Sequence, residues 1–129
     1  MNKQLAKISK ATLEIKERGI LNFWIYVDYE EGGSQAVGGI ALDKWSKEKQ
    51  ERVGTAYGCE VIRRLLIELC VNDFSEMAGR HIWVFGEGDD FGFQAKGLQA
   101  LRVDNRESMP VIFSDILADM QEKESKDDE

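Results

Sequence analysis

The chain has one histidine, one proline and two cysteines in 129 residues, and each scarcity removes a class of answer. A hydrolytic triad or a Cys-His pair must draw on His81, and no motif marks a nucleophile to go with it. One His and two Cys eleven positions apart match no common zinc spacing. No apolar run approaches the ~18 residues of a membrane span. The N-terminus, Met1-Asn2-Lys3-Gln4-Leu5-Ala6-Lys7, lacks the apolar stretch of a signal peptide. The sequence therefore reads as a cytoplasmic protein with no catalytic apparatus, no metal and no cofactor. Between Ile20 and Asp43 there is no Lys or Arg at all, while Asp28, Glu30, Glu31 and Asp43 fall in that stretch.

What is present is an ordinary globular composition, 43% apolar and 32% charged, with a net charge of −7. This suits a single domain able to bury a core without staples. Residues 122–129 carry five acids and two bases, and read as a disordered tail. Without them the body keeps 19 acids against 15 bases, still −4, which argues against a general affinity for nucleic acid.

Periodicity supplies the elements. Residues 2–8 read as a short helix or a loose segment. Ala11, Leu13 and Ile15 alternate with polar neighbours, as a strand does. Residues 20–29 form the strongest strand, with Leu21, Phe23, Ile25 and Val27 on one face and Asn22, Trp24, Tyr26 and Asp28 on the other. Glu30-Glu31-Gly32-Gly33-Ser34 is a hairpin loop. A third strand, 35–42, is interrupted by Gly38-Gly39, which predicts a bulge or a close backbone approach. Residues 43–53 read as polar, with a helical turn. Thr55 N-caps an amphipathic helix to Val71. Gly58 sits amid its apolar arc, where it would let the helix approach a sheet. Cys59 and Cys70 fall on that face and are expected buried. Eleven helical residues hold them ~16 Å apart, beyond the ~4.4–6.8 Å of a disulfide, which suits a reducing compartment. Glu60, Arg64 and Glu68 form an i, i+4 ladder on the wet face. Residues 81–87 and 91–103 are two further strands around a Gly88-Asp89-Asp90 turn. Pro110 opens a last amphipathic helix, whose stripe from Val111 to Met120 would close the sheet or pair with a second copy.

The fold class is thus α+β: a five-stranded antiparallel sheet or partly open barrel in the order βββ-α-ββ, with a central and a C-terminal helix. Residues 1–110 make the domain, and 111–129 the last helix and tail. The order resembles that of the OB-fold. Two segments add a second resemblance: Gly38-Gly39-Ile40-Ala41-Leu42-Asp43, and the run from Arg52-Val53-Gly54-Thr55-Ala56-Tyr57-Gly58 to Leu65-Leu66. With Gly79-Arg80-His81-Ile82-Trp83-Val84 they are similar to a family of small phage and prophage proteins. That resemblance implies a phage setting and carries over no functional residue.

The candidate binding residues are Trp24, Tyr26, Asp28, Glu30, Glu31, Asp89 and Asp90. Aromatic side chains edged by carboxylates suit a basic surface on a host protein, as a nucleic-acid-mimicking antagonist of host defence would need. The alternative is an OB-type module whose Trp24 and Tyr26 stack the bases of single-stranded DNA. A third reading sequesters a nucleotide signal at the helix N-terminus, with Gly54 and Thr55 cradling the phosphate. The bland counterparts are a Thr55 that only caps, acidic tips that only solubilise, and aromatic rings packed under the last helix.

Overall fold

A computed structural model describes residues 1–16, 18–89, 92–101 and 110–127, the last six as backbone only. The architecture is α+β, with a six-stranded antiparallel sheet that does not close on itself. In chain order the strands are β1 (Asn2–Ile15), β2 (Leu21–Tyr29), β3 (Ser34–Ala41), β4 (Asp43–Ser46), β5 (Glu51–Gly54), β6 (His81–Glu87), β7 (Gln94–Ala100) and β8 (Val111–Ile112). Helix α1 (Ala56–Glu68) follows β5, a 3-10 turn (Phe74–Met77) precedes β6, and α2 (Phe113–Asp127) follows β8. The large sheet runs β3-β2-β1-β6-β7-β8, and β4 pairs with β5 in a separate hairpin. No helix among the described residues is long and apolar enough to cross a membrane.

β1 joins the two halves of the sheet. Its residues Asn2–Lys7 pair with β6, and Ala6–Ile15 pair with β2, with a register shift between Ile8 and Lys10. Residues 2–8 are therefore strand, not helix or loose chain. Ala6 and Ile8 are buried while Lys7 and Ser9 are exposed, so the alternation is real. It is hard to read because alanine and lysine carry little strand preference, and it is the pairing with β6 that holds the segment extended. Residues 43–54 likewise form the β4–β5 hairpin instead of a helical turn, with Gln50 at φ 55° in its bend.

One side of the sheet holds the core. Phe23, Ile25 and Val27 of β2 are buried there with Ile8, Val37, Ile82, Val84 and Leu98, against Val61 and Leu65 of α1. The Phe23 ring meets Phe74 and Phe113 edge-on, at 6.1 and 5.7 Å. At the far end, Tyr29 meets Phe93 at 6.1 Å, and Gln35 Nε2 donates to the Phe93 carbonyl at 3.0 Å, drawing β3 towards the β6–β7 loop.

Thr55 caps α1 as expected: its hydroxyl accepts from the Gly58 amide at 2.9 Å and donates to the Leu42 carbonyl at 3.0 Å. Gly58 is the point of closest approach, since an added Cβ would lie 2.2 Å from that same carbonyl oxygen. The C-terminus differs. The helix ends at Glu68, Leu69 caps it, and Cys70 turns left-handed at φ 54°. A helical projection thus no longer applies to Cys70, and Cys59 lies at the rim of the apolar arc. Both cysteines are exposed and neither is in a disulfide, a correction to the buried pair expected. Glu68 also departs from expectation. It is 6% exposed and accepts from the Ala100 amide at 2.9 Å, while Glu60 and Arg64 do form the surface pair, at 2.9 Å.

Val111 and Ile112 extend the sheet as β8, so α2 begins at Phe113 and not at Pro110. Its backbone stays helical through Asp127, where a disordered tail was expected. Phe113 and Ile116 bury into the common core. Of the expected fifth strand, Phe91 and residues 102–103 lie outside the described residues.

Asp43 fastens the sheet to the β4–β5 hairpin. Its carboxylate accepts from Arg52 at 2.7 Å and from the Leu21 amide at 3.0 Å. The Arg52 guanidinium, aided by that amide, holds the carboxyl below the usual carboxylate range. A lowered pKa stabilises the fold at all pH values above the ordinary carboxylate range, and the contribution fades as pH falls through the lowered value. Asp43→Asn should therefore lower the urea midpoint at neutral pH and leave it less steeply dependent on pH in the acid range. Gly58→Ala should destabilise by about 1–3 kcal/mol, because overpacking against backbone outweighs the gain in helix propensity. A denaturation midpoint equal to the parent's would refute the close approach.

Candidate functional site: the open face of the sheet

Strand alternation that buries Phe23, Ile25 and Val27 presents Trp24, Tyr26 and Asp28 on the opposite face. The core and the interior faces of both helices lie on the other side, so the aromatic rings are half-buried among strand neighbours and do not pack under α2. Trp24 is fixed by the double glycine. A Cβ on Gly39 would fall 2.3 Å from the Trp24 ring, and one on Gly38 would fall 2.6 Å from the Phe23 ring. The two glycines thus admit one ring on each side of β3. Both hold positive φ, 112° and 72°, and the β2–β3 register shifts beside them, as a bulge requires.

The strands adjoining β2 complete the face. On β1, Lys7 stands opposite Asp28, Lys10 opposite Tyr26 and Thr12 opposite Trp24. On β6, His81 stands opposite Lys7, Trp83 opposite Leu5 and Phe85 opposite Lys3. The Lys10 ammonium lies 5.9 Å from the Tyr26 ring, and the Lys3 ammonium 4.4 Å from the Trp83 ring. Two aromatic groups, Trp24 with Tyr26 and Trp83 with Phe85, are therefore separated by a band holding Lys7, Lys10 and His81. Asp28 of β2 and Glu14 of β1 bring negative charge to the same face, and Asp28 accepts from the Ser34 hydroxyl at 2.7 Å. The lysines are the part that sequence reasoning missed. The stretch from Ile20 to Asp43 does lack cations, but β1 lies beside β2 and supplies them. The readable signal was the spacing of Lys3 and Lys7, which puts both on one face if residues 2–8 are extended.

The hairpin tips meet at the end of this face. Glu30, Glu31 and Asp89 line one cleft of about 610 Å³ with Asn2, Lys3 and Trp83. The N-terminal half of β1 holds the tips there: the Glu30 amide donates to the Leu5 carbonyl at 3.0 Å, and Asn2 Nδ2 to the Gly88 carbonyl at 3.2 Å. Asp90 lies outside the described residues. Of the candidate residues, Glu30, Glu31 and Asp89 thus come together, whereas Trp24 and Tyr26 belong to the face beyond the cleft.

Tyr29 closes a smaller cavity nearby. Burial pushes its phenol up to about 12, so it stays protonated, and its hydroxyl donates to Gln35 Oε1. Gly54 and Thr55 lie elsewhere, at an apolar groove against α1. There the Thr55 hydroxyl already accepts from Gly58 and donates to Leu42, which engages the group a phosphate would seek. Among the described residues, no three His, Cys, Asp or Glu side chains gather as a metal site would need. Compared with protein-family models, curated protein sequences and solved structures, the chain matches none.

Proposed function

We propose that the chain is a non-enzymatic binding module that lays single-stranded nucleic acid across the open face of its sheet. The observation that carries this reading is the interleaving of Lys3, Lys7 and Lys10 on β1 with Trp24 and Tyr26 on β2 and Trp83 and Phe85 on β6. Aromatic faces stack unpaired bases whatever their sequence, and ammonium groups between them meet the phosphates. The strand order supports the same reading. A β1-β2-β3 meander, the separate β4–β5 hairpin, a helix, and strands that return beside β1 form an open sheet whose order resembles that of the OB-fold. The net charge of −7 weakens long-range attraction, but the carboxylates at the hairpin tips gather at one end of the face, around Lys3 and Trp83, and leave Lys7 and Lys10 beyond them. Three lysine contacts to a single strand predict a log–log salt slope of about −2.

A fluorescently labelled short oligothymidylate at low salt tests this. Binding is expected with that shallow slope, and Lys7→Glu combined with Lys10→Glu should abolish it. Trp24→Ala or Tyr26→Ala should each cost about 1–3 kcal/mol of affinity. No binding at low salt, even after removal of residues 122–129, would eliminate the reading.

A second reading rests on the convergence of Glu30, Glu31 and Asp89 around one cleft. An acid-rimmed pocket with Trp83 on its wall suits an Arg or Lys side chain of a basic protein segment, since a cation can lie over the ring. The Lys3 ammonium already occupies such a position. A host-defence antagonist is the version the phage resemblance favours. Here Glu30→Lys with Asp89→Lys should abolish capture of a basic peptide and leave oligonucleotide binding equal or stronger. Peptide capture that survives both reversals would remove this reading.

A further inference from the structure

We propose that the C-terminal half of β1 is a docking edge for a second copy of this chain, the two edges pairing antiparallel about a two-fold axis at Thr12. β1 has β2 along one side up to Ile15, but on its other side β6 reaches only Lys7. Ile8 then exchanges backbone hydrogen bonds with Gly79 and Arg80, at 2.7 and 2.8 Å. The 3-10 turn Phe74–Met77 that leads into this contact also packs against β1, and from Lys10 to Ile15 the strand has a sheet neighbour on one side alone. The backbone groups beyond the turn that are directed away from β2 are a template for another strand.

The sequence of the edge selects the occupant. It reads Lys10-Ala11-Thr12-Leu13-Glu14. A two-fold axis at Thr12 sets Lys10 against the partner's Glu14, Ala11 against the partner's Leu13, and Thr12 against its own copy. Opposite charges are favourable cross-strand neighbours. The register is specific. A two-fold that keeps the cores of both copies on one side of the joined sheet moves in steps of two paired residues. Shifting the axis to Leu13 sets Lys10 against the partner's Lys16, and shifting it to Ala11 leaves Glu14 opposite the partner's Ile8. Only the axis at Thr12 satisfies both charges.

The apolar side of the edge agrees. Leu13 and Ile15 point to the helix side of the sheet, yet are 44% and 69% exposed. Leu13 borders a groove of about 520 Å³, lined also by Leu21, Ile62 and Leu66. A second β1 alongside would bring its own Ala11 and Leu13 over this rim. The charged groups are free to turn. Glu14 pairs at 3.2 Å with Lys16, and both side chains are nearly half exposed. The joined sheet would carry both open faces on one side. The inference goes beyond the nucleic-acid reading and does not depend on it.

Sedimentation velocity on the full chain, without nucleic acid, tests the edge over a concentration series from micromolar to submillimolar. A dimer fraction that rises with concentration is expected. Lys10→Glu and Glu14→Lys should each weaken the dimer about tenfold, since every reversal sets two like-charge pairs in the interface. The double variant should restore it, which a merely destabilised fold would not do. A monomer throughout the series overturns the proposal. A dimer that neither single reversal weakens overturns it as well, because the copies would then meet elsewhere.

Discussion

The backbone ladder of β1 is the constraint on which the rest of the molecule depends. One 14-residue strand holds β2 along most of its length and β6 along its first half. Without it the β2–β3 hairpin and the β6–β7 hairpin would be two separate ribbons, each with an unprotected apolar face. Isolated hairpins are at best marginally stable in water. The strand achieves the junction by bending at Ser9, where the register shifts, so that Ala6 and Ile8 point into the core on one side of the bend and Ala11 on the other. The same bend carries Lys7 and Lys10 to the outside, beside aromatic side chains from both hairpins. Fold and candidate site are in this sense one decision about where β1 lies.

That dependence explains which parts of the sequence could be read in advance. The pattern of β2 is strong because Phe23, Ile25 and Val27 alternate with Asn22, Trp24 and Tyr26, and the faces fall as the alternation says. Thr55 and Gly58 are legible because each has a local reason: a hydroxyl for the free amides of the first turn, and a missing Cβ where a backbone must pass. Gly38-Gly39 is legible for the same reason. β1 is different. Alanine and lysine at its N-terminal end state no preference, and only the strand β6, more than seventy residues later, keeps it extended. Glu68 fails in the same way. On a helical wheel it continues the Glu60–Arg64 ladder, but the end of β7 presents the Ala100 amide to it, and a carboxylate that accepts a backbone donor can turn inward. Cys70 fails because one left-handed residue ends the helix before the periodicity does.

The electrostatics follow the same logic. Counting charges along the chain makes β2 and β3 an acidic, cation-free stretch, and in one dimension that is true. In three dimensions Trp24 and Tyr26 lie between β3 and β1, and β1 sets Lys10 beside Tyr26, while the carboxylates of the loops are collected at one end with Asp89. A net charge says how the molecule behaves at distances beyond a Debye length, ~8 Å at physiological ionic strength. Contact recognition is decided inside that distance, where Lys10 beside Tyr26 outweighs an acid on a hairpin tip. An acidic protein can therefore hold a locally cationic face, with weak attraction at long range and short-range stacking supplying the affinity.

A free strand edge sharpens this argument. Sheets ordinarily guard an open edge with charge, a bulge or a covering element, because it would otherwise recruit any extended chain. β1 carries a bulge at Ser9 and charges at Lys10, Glu14 and Lys16, yet it also leaves Leu13 and Ile15 bare. Charges that only repel would best be of one sign. Here the signs alternate along the outward face, which discourages foreign strands without discouraging an antiparallel copy of the same one. The two lysine-bearing faces of such a pair would lie on one side of a continuous sheet. A ligand strand long enough to cross both would then meet twice the cationic and aromatic surface at little added entropic cost. Short and long ligands would differ in affinity for that reason alone, even though every residue that touches them is the same.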